Sequence, residues 1–182
     1  DTGAYVARTA LNCLAPKGRM GFRNAHQLSL TDNLLLLAAV IEIGSEIELL
    51  RLPLDHMGAF SYRFDDSAPP DIFVKSRSYR DWLFRQAKFI GENADIKFVL
   101  ITDISDFYQR VYSHRLEGFF GEIPTKKYAT SLIEKIIKAI RGKESFGLPV
   151  GGPASRLLAE LALRDADKWL FDEGVSFSRF VD

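Results

Sequence analysis

Apolar residues recur at helical spacing from 34 to 50, with Thr31 and Asp32 placed to cap the helix they predict. Gly44 weakens a helix there by about 1 kcal/mol relative to Ala, so two helical segments are expected rather than one. Phe60-Ser61-Tyr62-Arg63-Phe64 alternates like a short strand, and Asp65, Asp66, Pro69 and Pro70 then mark a loop. Residues 78–93 read as an amphipathic helix, with Trp82, Phe84, Phe89 and Ile90 as its apolar contacts. Phe98-Val99-Leu100-Ile101 is an unbroken apolar run, the pattern of a strand buried on both faces. Asp106 is expected to start a helix that reaches about Gly118. Residues 125–141 form another, with Tyr128, Leu132, Ile133, Ile136, Ile137 and Ile140 on one face and Gly142 as its stop. Pro153 suits the first turn of a helix running to about Phe171, and residues 176–182 begin a further strand. The opening 30 residues, with Pro16, Gly18 and Gly21, are the least regular. The expected class is α/β (α+β), with helices outnumbering strands.

Composition narrows this little. The chain has 182 residues, 47% hydrophobic and 26% charged, which is ordinary for a globular protein of about one domain. Lys+Arg and Asp+Glu both number 24, so no net field draws the molecule to nucleic acid or a membrane. One cysteine, Cys13, leaves no internal disulfide framework, and the three histidines are too far apart for local metal-ligand spacing. The longest apolar run, residues 34–41, is far short of the roughly 20 residues of a membrane helix. With no signal-like leader, a reducing, cytoplasmic setting is the expectation. The chain opens on Asp1 rather than Met and ends on Phe180-Val181-Asp182, which reads as a fragment cut inside a structural element. The apolar stretch 34–50 fits either a core or the interface of a homo-oligomer.

Charge is unevenly spread. Between 126 and 143 lie Lys126, Lys127, Lys135, Lys138, Arg141 and Lys143 against Glu134 alone; between 75 and 88 lie Lys75, Arg77, Arg80, Arg85 and Lys88 against Asp81. Such stripes are either solvated helix faces or surfaces for a phosphate backbone.

Three segments carry candidate chemistry. Asp103 follows the apolar run 98–101, where a carboxylate at a buried strand end calls for a neutralising partner such as a divalent cation. A strand-end Asp more often caps the next helix, but Asp106 suits that task better and leaves Asp103 unexplained. Gly147-Leu148-Pro149-Val150-Gly151-Gly152 has paired glycines that allow close approach of a base or sugar, and it is neither a P-loop nor a dinucleotide fingerprint. Phe180-Val181-Asp182 again places a carboxylate beyond apolar residues.

Taken in order, Asp-x-x-x-x-Tyr (Asp103 to Tyr108), Gly-Leu-Pro-x-Gly (147–151) and Phe-x-Asp (180–182) resemble motifs A, B and C of a reverse-transcriptase palm. The helix 154–167, the segments 103–108 and 114–117, and Ser61-Tyr62-Arg63-Phe64 resemble the bacterial branch linked to abortive infection and phage defence. The motifs cover residues 98–182, with weaker similarity back to about His26.

The resemblance implies a right-hand polymerase fold, with fingers in residues 1–97 and a partial palm in 98–182. It implies an RNA-directed DNA polymerase, a nucleotidyltransferase using two Mg²⁺ ions, with or without a template. Asp103 and Asp182 match the catalytic, metal-binding carboxylates, and the backbone of Ile104 would join them. Ile104, Ser105, Asp106 and Phe107 would face the incoming triphosphate, and Tyr108 matches the aromatic gate against a ribose 2′-hydroxyl. Phe107 also reads as a core aromatic. Gly151 matches the glycine beside the nucleotide, whereas Val150 stands where Gln is frequent. Arg63 is the candidate cation for the triphosphate, and Lys126, Lys127, Lys135 and Lys138 are candidates for holding nucleic acid. Implied partners are dNTPs and an RNA or DNA template-primer, including a non-coding RNA, with no membrane. In motif C only the first of the usual two aspartates is present, so a non-catalytic nucleic-acid-binding or assembly module with a degenerate palm is the alternative. An RNA-directed RNA polymerase is disfavoured by Tyr108.

Overall fold

The computed structural model describes residues 5–18, 20–56, 58–67, 69–142 and 144–182. Its first element is one the sequence pattern conceals. Strands β1 (Leu11–Lys17) and β2 (Gly21–Gln27) form an antiparallel ribbon in register from Leu11 opposite Gln27 to Lys17 opposite Gly21. Gly18 turns the chain at φ +67°, a conformation that costs glycine nothing. Both strands are mostly exposed, so no face is buried to impose alternation on the residues.

Helix α1 (Leu30–Glu42) begins one residue before the expected caps. The Ser29 hydroxyl accepts the Asp32 amide at 3.1 Å, and the buried Asp32 carboxylate accepts from the Ser29 and Tyr5 hydroxyls. Ile43 breaks the run, and α2 (Gly44–Leu50) comes next. Gly44 is required by packing, because a Cβ there would run into the ring of Phe64. Helix α3 (Tyr79–Glu92) opens on a capping box between Ser78 and Asp81 and has no buried residue. The expected helix 106–118 is two: α4 (Phe107–Arg110) and α5 (Ser113–Gly121), parted at Val111 and Tyr112. After a 3-10 turn at Pro124–Lys126 comes α6 (Lys127–Arg141), which ends at Gly142 with φ +61°. The last helical stretch also divides, at Leu163, into α7 (Pro153–Ala162) and α8 (Arg164–Asp172).

Eight of the ten residues of α7 are buried, and α1, α2 and α5 pack against it while α6 packs on α1 and α5. Leu36, Val40, Ile47, Leu116, Ile133, Ile136, Leu157, Leu158 and Leu161 fill the space between them. Helices from before and after residue 97 therefore share one core. Among the described residues the fold is mixed helix and strand, and no helix is long and apolar enough to cross a membrane.

Three expected strands take other forms. Residues 60–64 make isolated bridges: Phe64 pairs with Phe73, while Tyr62 turns the chain at φ 45°. Residues 176–182 make one isolated parallel bridge, between Ala59 and Arg179, before the chain bends at Phe180. The segment 98–101 is not buried at all, for Phe98 is 94% exposed and Leu100 and Ile101 are each 88% exposed. Hydrophobicity makes a strand fit for burial, but burial needs a second surface, and no described residue supplies one here.

Candidate active site

Backbone hydrogen bonds join two of the three motif segments. The Leu148 amide donates to the Tyr108 carbonyl at 2.8 Å and the Gly147 amide to the Val111 carbonyl at 3.0 Å, clamping the glycine-rich turn onto α4. Gly147, at φ +113°, fits beside the Gln109 carbonyl, and Tyr112 bridges to Phe146 with their rings 5.2 Å apart. The Asp182 segment is tied instead to residue 61, where the Val181 amide donates to the Ser61 hydroxyl at 2.9 Å.

Asp182 is half-buried at the end of that segment. Burial raises its carboxyl above the usual carboxylate range, and the negative charge of Asp103 raises it further; Arg179 and Arg23 oppose the shift. The two motif aspartates, 79 positions apart, are thus within electrostatic reach of one another. Tyr108 lies in the same neighbourhood. Burial raises its phenol most, then Tyr62 and Glu160, with Asp182 adding a smaller push and Arg156 opposing. A carboxyl whose charge is disfavoured by burial and by a neighbouring acid is a setting into which a divalent cation fits, and Mg²⁺ ordinarily takes one or two protein carboxylates. Among the described residues no three His, Cys, Asp or Glu side chains gather into a metal-binding group.

The remaining expected residues separate. Ile104, Ser105 and Asp106 lie at the surface between Asp103 and α4, and Phe107 is buried with its ring 5.6 Å from that of Tyr108. Asp106 does not cap α4 through its side chain. It adopts a left-handed conformation at φ 53°, and its carbonyl accepts from the Gln109 and Arg110 amides. Gly151, at φ +107°, is exposed and has open space where a Cβ would stand. Val150 is half-buried beside it.

Arg63 requires a correction. Expected to face a triphosphate, it is 1% exposed and fully engaged: Nε donates to Glu48 at 2.5 Å, Nη1 to the Ala59 carbonyl at 3.0 Å and Nη2 to the Leu52 carbonyl at 2.8 Å. The cations at the site are others. Arg156, in the first turns of α7, lies 5.1 Å over the Tyr62 ring and opposes the shift on Tyr108, and Arg23 of β2 acts on Asp182. No motif singles these out, because neither is near its partner in sequence.

The lysines divide too. Lys126 is paired with Glu42, Lys127 and Lys138 are exposed, and Lys135 is half-buried on the flank of α6. They share the side of α6 away from Ile133, Ile136, Ile137 and Ile140. Lys143 lies outside the described residues. In the other stripe, Lys75 pairs with Asp71 at 3.0 Å, Lys88 lies 3.8 Å from Glu92, and Arg77 stacks over Phe60.

No protein-family model matches the chain, and no curated protein matches it.

Proposed function

We propose that this chain is the fingers and partial palm of an RNA-directed DNA polymerase of the reverse-transcriptase kind, serving bacterial antiviral defence in the cytoplasm. The observation that carries the reading is that the charge of Asp103 helps to raise the Asp182 carboxyl, at the two positions that the motif order names as partners. Their carboxylates, with the Ile104 backbone, would hold the two Mg²⁺ ions. Bound there, the ions supply charge stabilisation for the attacking 3′-hydroxyl and the leaving pyrophosphate.

The chain's own residues do the rest. Tyr108, within electrostatic reach of Asp182, closes the space a ribose 2′-hydroxyl needs and so selects deoxynucleotides. Gly151, with no side chain in the open space it faces, lets a base or sugar approach the backbone. The surface backbone of 104–107 faces the triphosphate, and Arg156 and Arg23 replace Arg63 as its counter-charges. Lys127, Lys135 and Lys138, with Lys126 held by Glu42, present charge to an RNA or DNA backbone.

The test is incorporation of dNTPs by the chain with Mg²⁺, on a primed RNA and without template. Asp103→Ala removes incorporation while leaving the unfolding midpoint unchanged, because Asp103 is exposed and outside the core. Full activity in that variant refutes the assignment. Val150 and the sequestered Arg63 favour a second reading, a nucleic-acid-binding module with a degenerate palm. RNA binding with no incorporation under either condition selects it.

A further inference from the structure

Beneath the site lies a group of charges that motif chemistry does not use. Arg51, Arg63 and Arg179 face Glu48, Glu160 and Asp167, and Glu160 is 1% exposed. Arg51 Nη2 donates to Glu160 at 2.7 Å and to the Ser61 carbonyl at 2.8 Å. Arg179 donates through Nη2 to Glu160 at 2.9 Å and through Nε to Asp167 at 2.9 Å. Burial works against the Arg179 charge, but Glu160 and Asp167 outweigh it and hold the guanidinium above its usual value. A buried set of this kind is seldom worth more to stability than well-packed apolar residues would be, so its retention invites another explanation.

That explanation lies in what the set grips. Val181, directly before Asp182, has φ +75°, a conformation that a β-branched side chain strongly disfavours. Both of its backbone polar groups are held. The amide donates to Ser61 Oγ at 2.9 Å, and the carbonyl accepts from Arg179 Nη1. The Ser61 hydroxyl in turn donates to Glu160, the same carboxylate that Arg179 pairs with. Closing the circuit from upstream, the Arg179 backbone is fixed to Gly58 and Phe60 by hydrogen bonds of 2.6 and 3.1 Å. Strain at Val181 persists because both sides of the residue are tied to groups that are themselves tied to each other.

We infer that Ser61, Glu160 and Arg179 are positioning residues that hold Val181 in its left-handed conformation and so aim the Asp182 carboxylate at the cation it shares with Asp103. The inference rests on the polymerase reading. None of the three touches the reacting atoms; they act through the Val181 backbone.

Mn²⁺, a paramagnetic stand-in for Mg²⁺, is titrated into the 182-residue chain, its Ser61→Ala and Arg179→Lys variants, and Asp182→Asn, with bound ion followed by electron paramagnetic resonance. Unfolding midpoints are measured in parallel, and affinities are compared at a temperature where every variant is folded. Ser61→Ala removes the acceptor of the Val181 amide. Arg179→Lys keeps the positive charge but cannot reach Glu160, Asp167 and the Val181 carbonyl at once. Each is expected to weaken Mn²⁺ binding about tenfold, the scale on which groups behind a metal ligand act. Wild-type affinity in both folded variants, with weaker binding in Asp182→Asn, overturns the positioning role and leaves the polymerase reading standing. Equal affinity in wild type and Asp182→Asn overturns both. A purely structural role lowers the unfolding midpoints without moving the affinity of the folded molecules, and that result also refutes the inference.

Discussion

The two aspartates arrive at the site on supports of opposite character. Asp182 ends a segment locked from beneath, with Arg179 in a charged network and the Val181 backbone bonded on both sides. Asp103 follows a segment, 98–101, whose side chains stand in solvent, itself preceded by a helix, α3, with no buried residue. One carboxylate follows a tightly bonded backbone and the other follows an exposed stretch. In the proposed polymerase this asymmetry would let one side fix the geometry of the bound ions while the other adjusts.

The contrast breaks most readily at Glu160. Glu160→Ala leaves Arg51 and Arg179 buried without their common partner, and urea unfolding is expected to show a loss of about 3–5 kcal/mol. A loss below about 1 kcal/mol would mean that the network is not a closed unit.

Asp182→Asn probes the same side with a smaller effect and a definite sign. The folded carboxyl is raised above its unfolded value, so its charged form is disfavoured by folding. The penalty is absent below the unfolded pKa and reaches its full size as pH rises through the folded one. Without divalent cations, the variant is therefore expected to match wild type in acid and to exceed it slightly in stability toward neutral pH. Under the proposed function saturating Mg²⁺ should reverse the order, because it would bind the charged pair of the wild type and not the variant. Chemical denaturation at several pH values, with and without Mg²⁺, checks both signs.

The smallest effect belongs to the exposed arm. Leu100→Ala should change stability by no more than about 0.5 kcal/mol, although the same substitution in a core removes about 2–5 kcal/mol. A core-sized loss on urea unfolding would place Leu100 against a surface and erase the contrast.

Local features of this fold are legible in the sequence, and distant ones are not. The break at Gly44, the span of α3 and the α6 stop at Gly142 depend on residues a few positions apart, so periodicity and glycine chemistry reveal them. The ribbon β1–β2 escapes because exposed strands carry no alternation. The run 98–101 has the composition of a buried strand, but composition cannot show whether a covering surface exists. Arg63 misleads for a related reason: its Glu48 partner lies across a turn, and a buried arginine is spelled like an exposed one. The circuit of Ser61, Glu160 and Arg179 draws Ser61 to a carboxylate about 100 positions away, beyond any local reading. Asp103, Tyr108, Gly151 and Asp182 stand as candidates only through the ordered motif set.

The buried charges beneath Asp182 also set how the molecule meets its surroundings. Dissolved ions weaken attractions that pass through water, and Arg51–Glu160 and Arg179–Asp167 are largely shut away from it. Concentrated electrolyte therefore loosens Lys75–Asp71 and Lys88–Glu92 at the rim well before it reaches the floor. Warming favours the same region, because the hydration that buried charges forgo is worth less when hot. The anchored aspartate should keep its bearing in brine and heat that have already slackened the periphery.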